Sequence, residues 1–130
     1  MRITQLPDNG DERGRSFSLD SLALSSIGPV RDLHATTLKP GHSRGNHYHL
    51  ERDELILVLG EDQWTLRWED QGHKVHERQI DSAGATLLRV DKGLSHAIDN
   101  TGRRDLTILA MSDRVFAPED ADSYARPLNG

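Results

Sequence analysis

PGHSRGNHYHLERDELILVLG, residues 40–60, decides how this chain is read. It opens on a Pro-Gly turn, sets two histidines two residues apart, crosses a polar link and ends in an apolar run. On a strand, residues i and i+2 share a face, so His47 and His49 present two imidazoles side by side. Glu54 follows the link LERD at the head of LILVL (55–59), and a hairpin of that shape folds its carboxylate back beside the histidines. Two neutral nitrogens and one anionic oxygen suit a divalent ion, whose charge the carboxylate lowers.

Outward from this stretch the chain reads as strands. In DQWTLRWED, Trp64, Leu66 and Trp68 alternate with Thr65, Arg67 and Glu69, the period of a half-buried strand. LILVL suits a strand buried on both faces, and TLLRV (86–90) and DLTILAM (105–111) are similar runs. Turn signals separate them at Gly60-Glu61-Asp62, Gln71-Gly72, Ala83-Gly84, Lys92-Gly93 and Asn100-Thr101-Gly102. The pattern predicts an all-β sandwich or barrel, with SLDSLALSSI (18–27) as the stretch able to form a short helix. The expectation is a single domain over 1–130: a barrel over about 30–112, N-terminal strands and an arm over 1–29, and a tail over 113–130. That tail is polar and proline-marked, and is expected to wrap the surface or a partner subunit.

Bulk properties narrow the function. At 130 residues with 5% aromatics, the core must come from Val, Leu, Ile and Ala. The net charge is −5 and the sixteen Lys and Arg are scattered, which argues against a nucleic-acid surface. With no cysteine, neither a disulfide nor a thiolate metal site is available. The first residues lack the apolar run of a signal peptide, and no apolar stretch is long enough to span a membrane. A soluble, cytoplasmic protein that does not engage membranes is expected.

A further ligand candidate lies in DKGLSHAIDN (91–100), where His96 follows Gly93 by three residues and precedes Asn100 by four. Seven histidines make one His-x-His pair unsurprising by composition. The glutamate at hairpin distance and the later Gly-x-x-His-x-x-x-Asn give the pair its weight. Three imidazoles and a carboxylate leave one or two positions for water or substrate.

These stretches resemble the two motifs of the cupin superfamily. Gly41, His47, His49 and Glu54 fit the first, with Gly60 one residue early; Gly93, His96 and Asn100 fit the second, with Asp91 where proline is usual and Gly84 one residue out of register. The resemblance implies a cupin double-stranded β-helix, or jelly-roll, barrel. Within it His47, His49, Glu54 and His96 would converge on one divalent ion, with zinc, manganese, iron and nickel all compatible.

RGNHYH (44–49), DERG (11–14) and RVFAPEDADSY (114–124) further resemble the C-terminal cupin domain of capsular-polysaccharide sugar-nucleotide reductase/epimerases, and the first two the deoxysugar 3,5-epimerases and keto-isomerases. The implied activity is isomerase- or epimerase-like, on a small polar or keto-sugar substrate. The alternatives are a metal-dependent dioxygenase of the cupin type and a non-catalytic sugar-binding cupin. The dehydrogenase half of the bifunctional proteins has no counterpart in this sequence. Arg44 is a candidate for holding a phosphate or carboxylate of the substrate, against a solvated arginine in a turn. His47 is a candidate base only if the site holds no metal; otherwise the base is unassigned. Small cupins commonly pair through strand edges, so a homodimer is expected.

Other residues attract simpler expectations. Trp64 and Trp68 belong to a core or subunit interface, and His42, His73 and His76 to the surface. Tyr48 points away from the paired histidines. Tyr124 reaches the site only if the tail folds over the barrel mouth.

Overall fold

The apolar run of residues 55–59 becomes the middle of a sheet because both of its faces are covered. In a computed structural model, which describes residues 1–115 and 122–128, it forms β4 (Glu54–Gly60), and only Leu59 within it is more than marginally exposed. Before it come β1 (Arg2–Leu6), a one-turn helix α1 (Ser21–Leu24), β2 (Asp32–Leu38) and β3 (Ser43–Tyr48). After it come β5 (Trp64–Glu69), β6 (Val75–Ile80), β7 (Gly84–Val90), β8 (His96–Asp99), β9 (Leu106–Ser112) and the two-residue β10 (Tyr124–Ala125).

Two antiparallel five-stranded sheets result, in the orders β1-β7-β4-β9-β2 and β10-β3-β8-β5-β6. They close face to face as a cupin barrel. Ile56 and Val58 point inward and pack with Trp64, Leu66, Ile98 and Ile108. Leu55 and Leu57 point the other way and join Ile27, Leu87 and Met111 in a second cluster, with Phe17 and Leu19 packed against it. The segment between β1 and β2 therefore supplies the outer cover of the first sheet. Within it Asp20 caps α1, its side chain accepting a hydrogen bond from the Ala23 N–H at 2.8 Å.

Two expectations change. β5 is not half-buried: Thr65 and Glu69, on the face opposite Trp64 and Leu66, are buried as well. Thr65 lies beside Thr101, and Glu69 is engaged by Arg126 at 3.1 Å and by the Ser95 N–H, so the chain's end covers part of that face. Nor do β3 and β4 form a hairpin. β3 pairs with β8 and β10, whereas β4 pairs with β7 and β9. The link 50–53 crosses from one sheet to the other, because a strand as apolar as β4 is buried best at the centre of the first sheet.

Candidate metal centre and barrel cavity

The geometry of the site begins with a bulge. Between Gly45 and His47 the register of β3 against β8 shifts, so that Gly45 faces Ala97 and His47 faces His96. Gly45 has φ +94, and a Cβ there would stand 2.5 Å from the His96 carbonyl oxygen, so both the backbone and the close approach require glycine. Asn46 follows with φ 56. The bulge aims three imidazoles at one place: ring centroids are 4.8 Å apart for His47 and His49, 5.0 Å for His47 and His96, and 6.1 Å for His49 and His96. The two motifs are also tied through the backbone, the Gly93 N–H donating to the His49 carbonyl at 2.7 Å.

Glu54 reaches the imidazoles from across the barrel. Its Oε2 lies 3.7 Å from His49 Nε2 and its Oε1 lies 3.7 Å from His96 Nε2. All four sequence candidates are thus brought together, though Glu54 arrives from the opposite sheet instead of a hairpin. His49 and His96 are buried, and so is Glu54.

The hydrogen bond on the far side of His49 fixes which nitrogen does what. Nδ1 lies 2.5 Å from the Asp122 carbonyl oxygen, an acceptor, so Nδ1 carries the proton. The lone pair then sits on Nε2, which is buried, has no hydrogen-bond partner among the described residues, and faces the Glu54 carboxyl. As a carboxylate, Glu54 sets an acceptor oxygen 3.7 Å from that lone pair. Burial holds His47 and His96 neutral: it lowers His47 to about 4, with the neighbouring His49 and Arg52 adding, and lowers His96 to about 3, with His47 and His49 adding. Burial also pushes the Glu54 carboxyl up, against the opposing pull of His49, Arg52 and His34. Burial thus disfavours charge on His47, His96 and Glu54 alike, and a divalent cation would favour the ligating forms, neutral imidazole and anionic carboxylate.

The donor set fits such an ion, although it is not drawn tight. Among the described residues no three such side chains stand ready to hold an ion as they are. Two ligand atoms on a tetrahedral ion at 2.0–2.1 Å lie about 3.3 Å apart. The 3.7 Å separations seen here exceed that by a few tenths of an ångström, within reach of small side-chain rotations.

Above this cluster opens a cavity of about 550 Å³, within the range of small-molecule sites. Arg44 lines it and its Nε donates to the Thr37 carbonyl at 3.1 Å; the residue lies on β3, not in a turn. The cavity also includes groups that local spacing did not single out. Arg52, on the link between sheets, keeps its side chain mostly buried; its Nε lacks a hydrogen-bond partner among the described residues and stands 3.7 Å from Asp122 Oδ2. Asp122 accepts the backbone N–H groups of Leu50, Glu51 and Arg52 at 2.8, 3.0 and 3.0 Å. Burial raises its pKa, but those three donors prevail and hold its carboxyl below the usual range. Asp32 and His34 enter from β2, with His34 Nδ1 3.5 Å from Asp32 Oδ2. No sequence signal short of the register of β2 against β9 would have shown that they face inward.

The remaining aromatic and histidine expectations resolve outside the cavity. Tyr48 points outward, stacked on Tyr124 at 5.3 Å with the Arg126 guanidinium 4.1 Å from its ring centre. Tyr124 therefore does not enter the site; Asp122 does. His42 is exposed, His73 pairs with Glu69 at 2.6 Å, and His76 pairs with Asp70 at 2.8 Å and stacks on Trp68. Trp64 lies in the core, and Trp68 packs at its margin.

Two β-sheets closed around an inward-facing histidine cluster define the cupin class. Residues 9–124 match the polysaccharide biosynthesis C-terminal domain, and the chain belongs to that family. A relative, UDP-2-acetamido-2,6-beta-L-arabino-hexul-4-ose reductase of Pseudomonas aeruginosa, is 31% identical over 90 residues, covering 68% of this chain and 24% of that protein. The chain therefore spans about a quarter of that relative's length. Among solved structures, the capsular polysaccharide assembling protein CapF from Staphylococcus aureus superposes with a TM-score of 0.66 at 22% identity, over 95% of this chain and 34% of that one. A dTDP sugar isomerase from Desulfovibrio desulfuricans gives 0.77 at 12% identity, over 97% and 83% of the two chains. The TDP-quinovose 3,4-ketoisomerase WlaRB from Campylobacter jejuni gives 0.70 at 15% identity, over 96% and 92%. At these identities the structural likeness establishes the fold. Among the described residues no helix is long and apolar enough to cross a membrane.

Proposed function

We propose that this cupin is an isomerase- or epimerase-like enzyme acting on a nucleotide-linked keto-sugar, and that it binds one divalent ion through His47, His49, Glu54 and His96. The observation that carries the proposal is the convergence of the unpartnered His49 Nε2 and His96 with the Glu54 carboxyl, at the floor of a cavity large enough for a sugar. A divalent ion held there supplies Lewis-acid polarisation of a carbonyl oxygen. Arg44 and Arg52 give the same cavity two cationic side chains suited to the phosphates of a nucleotide sugar. Membership of a polysaccharide-biosynthesis family agrees with a sugar substrate, as do a relative named for a hexul-4-ose and structural neighbours named as sugar isomerases.

The test is elemental analysis of the parent and of the His47→Ala, His49→Ala double variant, with proton NMR of a 4-keto nucleotide sugar in deuterated water. One equivalent of metal, lost in the double variant, is expected, together with deuterium uptake beside the ketone that needs no oxygen. A parent that takes up no metal after reconstitution would remove the four-ligand assignment. Oxygen uptake without exchange would move the protein to the dioxygenases.

A further inference from the structure

A proton abstraction needs a base, and the four clustered side chains are committed to one another. We infer that His34, oriented by Asp32, is the base of this cavity. The inference rests on the isomerase reading above and deepens it.

The described cavity lining offers few acceptors for a proton. His47, His49, Glu54 and His96 face each other at the floor, and Asp122 already accepts three backbone N–H groups. Arg44 and Arg52 are cations. Asp32 and His34 are the remaining titratable pair, on the same sheet as Glu54 and facing the sheet that carries the histidines.

Register puts them within working distance of the floor. On the first sheet Asp32 lies opposite Ser112, which lies opposite Glu54; His34 lies opposite Ala110, which lies opposite Ile56. Residues in one such row share a face, and the Glu54–Ile56 face is the barrel interior. Two strand spacings, roughly 9–10 Å, therefore separate the backbone of the pair from that of Glu54 and Ile56 along the same wall, and the histidine cluster faces that wall from the other sheet. His34 stands on an edge strand at the open side of the cavity with its side chain half exposed, where a substrate can reach it.

Its partner gives it the features of a general base. Asp32 Oδ2, 3.5 Å from His34 Nδ1, favours the tautomer with the proton on Nδ1 and makes Nε2 the accepting atom. The contact is longer than a hydrogen bond, as catalytic contacts often are before substrate binds. In the step itself the proton on the carbon beside the ketone passes to Nε2. The C–H electron pair becomes the enolate double bond, and the carbonyl π pair moves to oxygen. The imidazolium, its Nδ1–H facing the Asp32 carboxylate, exchanges with solvent and returns a proton to carbon. No oxidant or reductant is consumed.

The experiment follows solvent deuterium into two probes, TDP-4-keto-6-deoxyglucose and UDP-2-acetamido-2,6-β-L-arabino-hexul-4-ose. It compares the parent, His34→Asn, His34→Ala and Asp32→Asn, with probe affinity, metal content and melting temperature measured on each. The expected result is exchange by the parent and a loss on the order of 10²–10⁴-fold in His34→Asn, the usual size of a general-base contribution. Probe affinity, metal content and melting temperature should be unchanged. Asp32→Asn should lose less, and added imidazole should restore exchange to His34→Ala, which a merely structural role would not produce. Parental exchange in His34→Asn would overturn the assignment, as would a loss that tracks lost probe binding. A parent that exchanges neither probe would sink the isomerase reading itself, a different failure from a parent that exchanges and a His34→Asn that does so equally.

Discussion

At the scale of single residues, the site depends on an aspartate well outside both histidine motifs. Asp122 does two things at once. Its carbonyl accepts a hydrogen bond from His49 Nδ1–H, and its carboxylate ties down residues 50–52 of the link that joins His49 to Glu54. Groups of this kind orient metal-binding histidines, and their loss typically costs 10–100-fold in affinity. Asp122→Asn keeps the carbonyl but replaces one accepting oxygen with a donor. Competition with a chelating dye is expected to show zinc affinity lowered roughly 10–100-fold, while far-ultraviolet circular dichroism stays that of the parent. An unchanged affinity would make Asp122 a loop clamp with no bearing on the ion. Little of this was legible beforehand. The spacing of His47, His49, Glu54 and His96 marks them locally, whereas Asp122, Arg52 and the Asp32–His34 pair reach the cavity through the closing of two sheets and the return of the tail, which leave no local pattern.

At the scale of elements, legibility follows burial. The apolar runs become β4, β7 and β9, and the Trp-Leu-Trp alternation becomes β5, because central strands must carry side chains that water rejects. β6 reads VHERQI and is polar along much of its length because it is an edge, half turned to solvent. The expected hairpin between the histidines and Glu54 failed for a related reason: short links join neighbouring strands within a sheet or strands across a barrel, and sequence distance does not tell them apart. Burial beneath the N-terminal arm, at β4, and burial inside the barrel, at β5, each have a measurable result. Leu57 lies under the N-terminal arm and Leu66 inside the barrel. Leucine-to-alanine at either position is expected to cost roughly 2–5 kcal/mol in urea denaturation. A negligible effect at Leu57 would mean that the arm does not cover the first sheet in solution.

At the scale of the whole molecule, an ion held by both sheets would bind the folded chain and not the unfolded one. Free zinc at a hundredfold over its dissociation constant then adds about 2.7 kcal/mol. For a chain of this length that corresponds to a melting temperature higher by roughly 10 °C, reversed by chelation and absent in the His47→Ala, His49→Ala variant. Calorimetry with and without zinc checks this, and an unmoved transition in the parent would count against the ion. The outline of the molecule was readable from strand length, turn spacing and the two motifs. The pairing that brings residue 54 to face residue 96 was not, since it is set by how two sheets share one core.

That pairing bears on how the protein comes apart. His47, His49 and His96 arrive on one sheet and Glu54 on the other, so the full set of ligands exists only after the sheets have met. Non-local β topologies meet late and slowly. An ion gripped by all four side chains therefore has nothing complete to hold in the folding transition state, and interactions absent there act on the reverse rate alone. Zinc should leave the refolding rate as it is and lengthen the lifetime of the native state, acting as a latch closed after assembly.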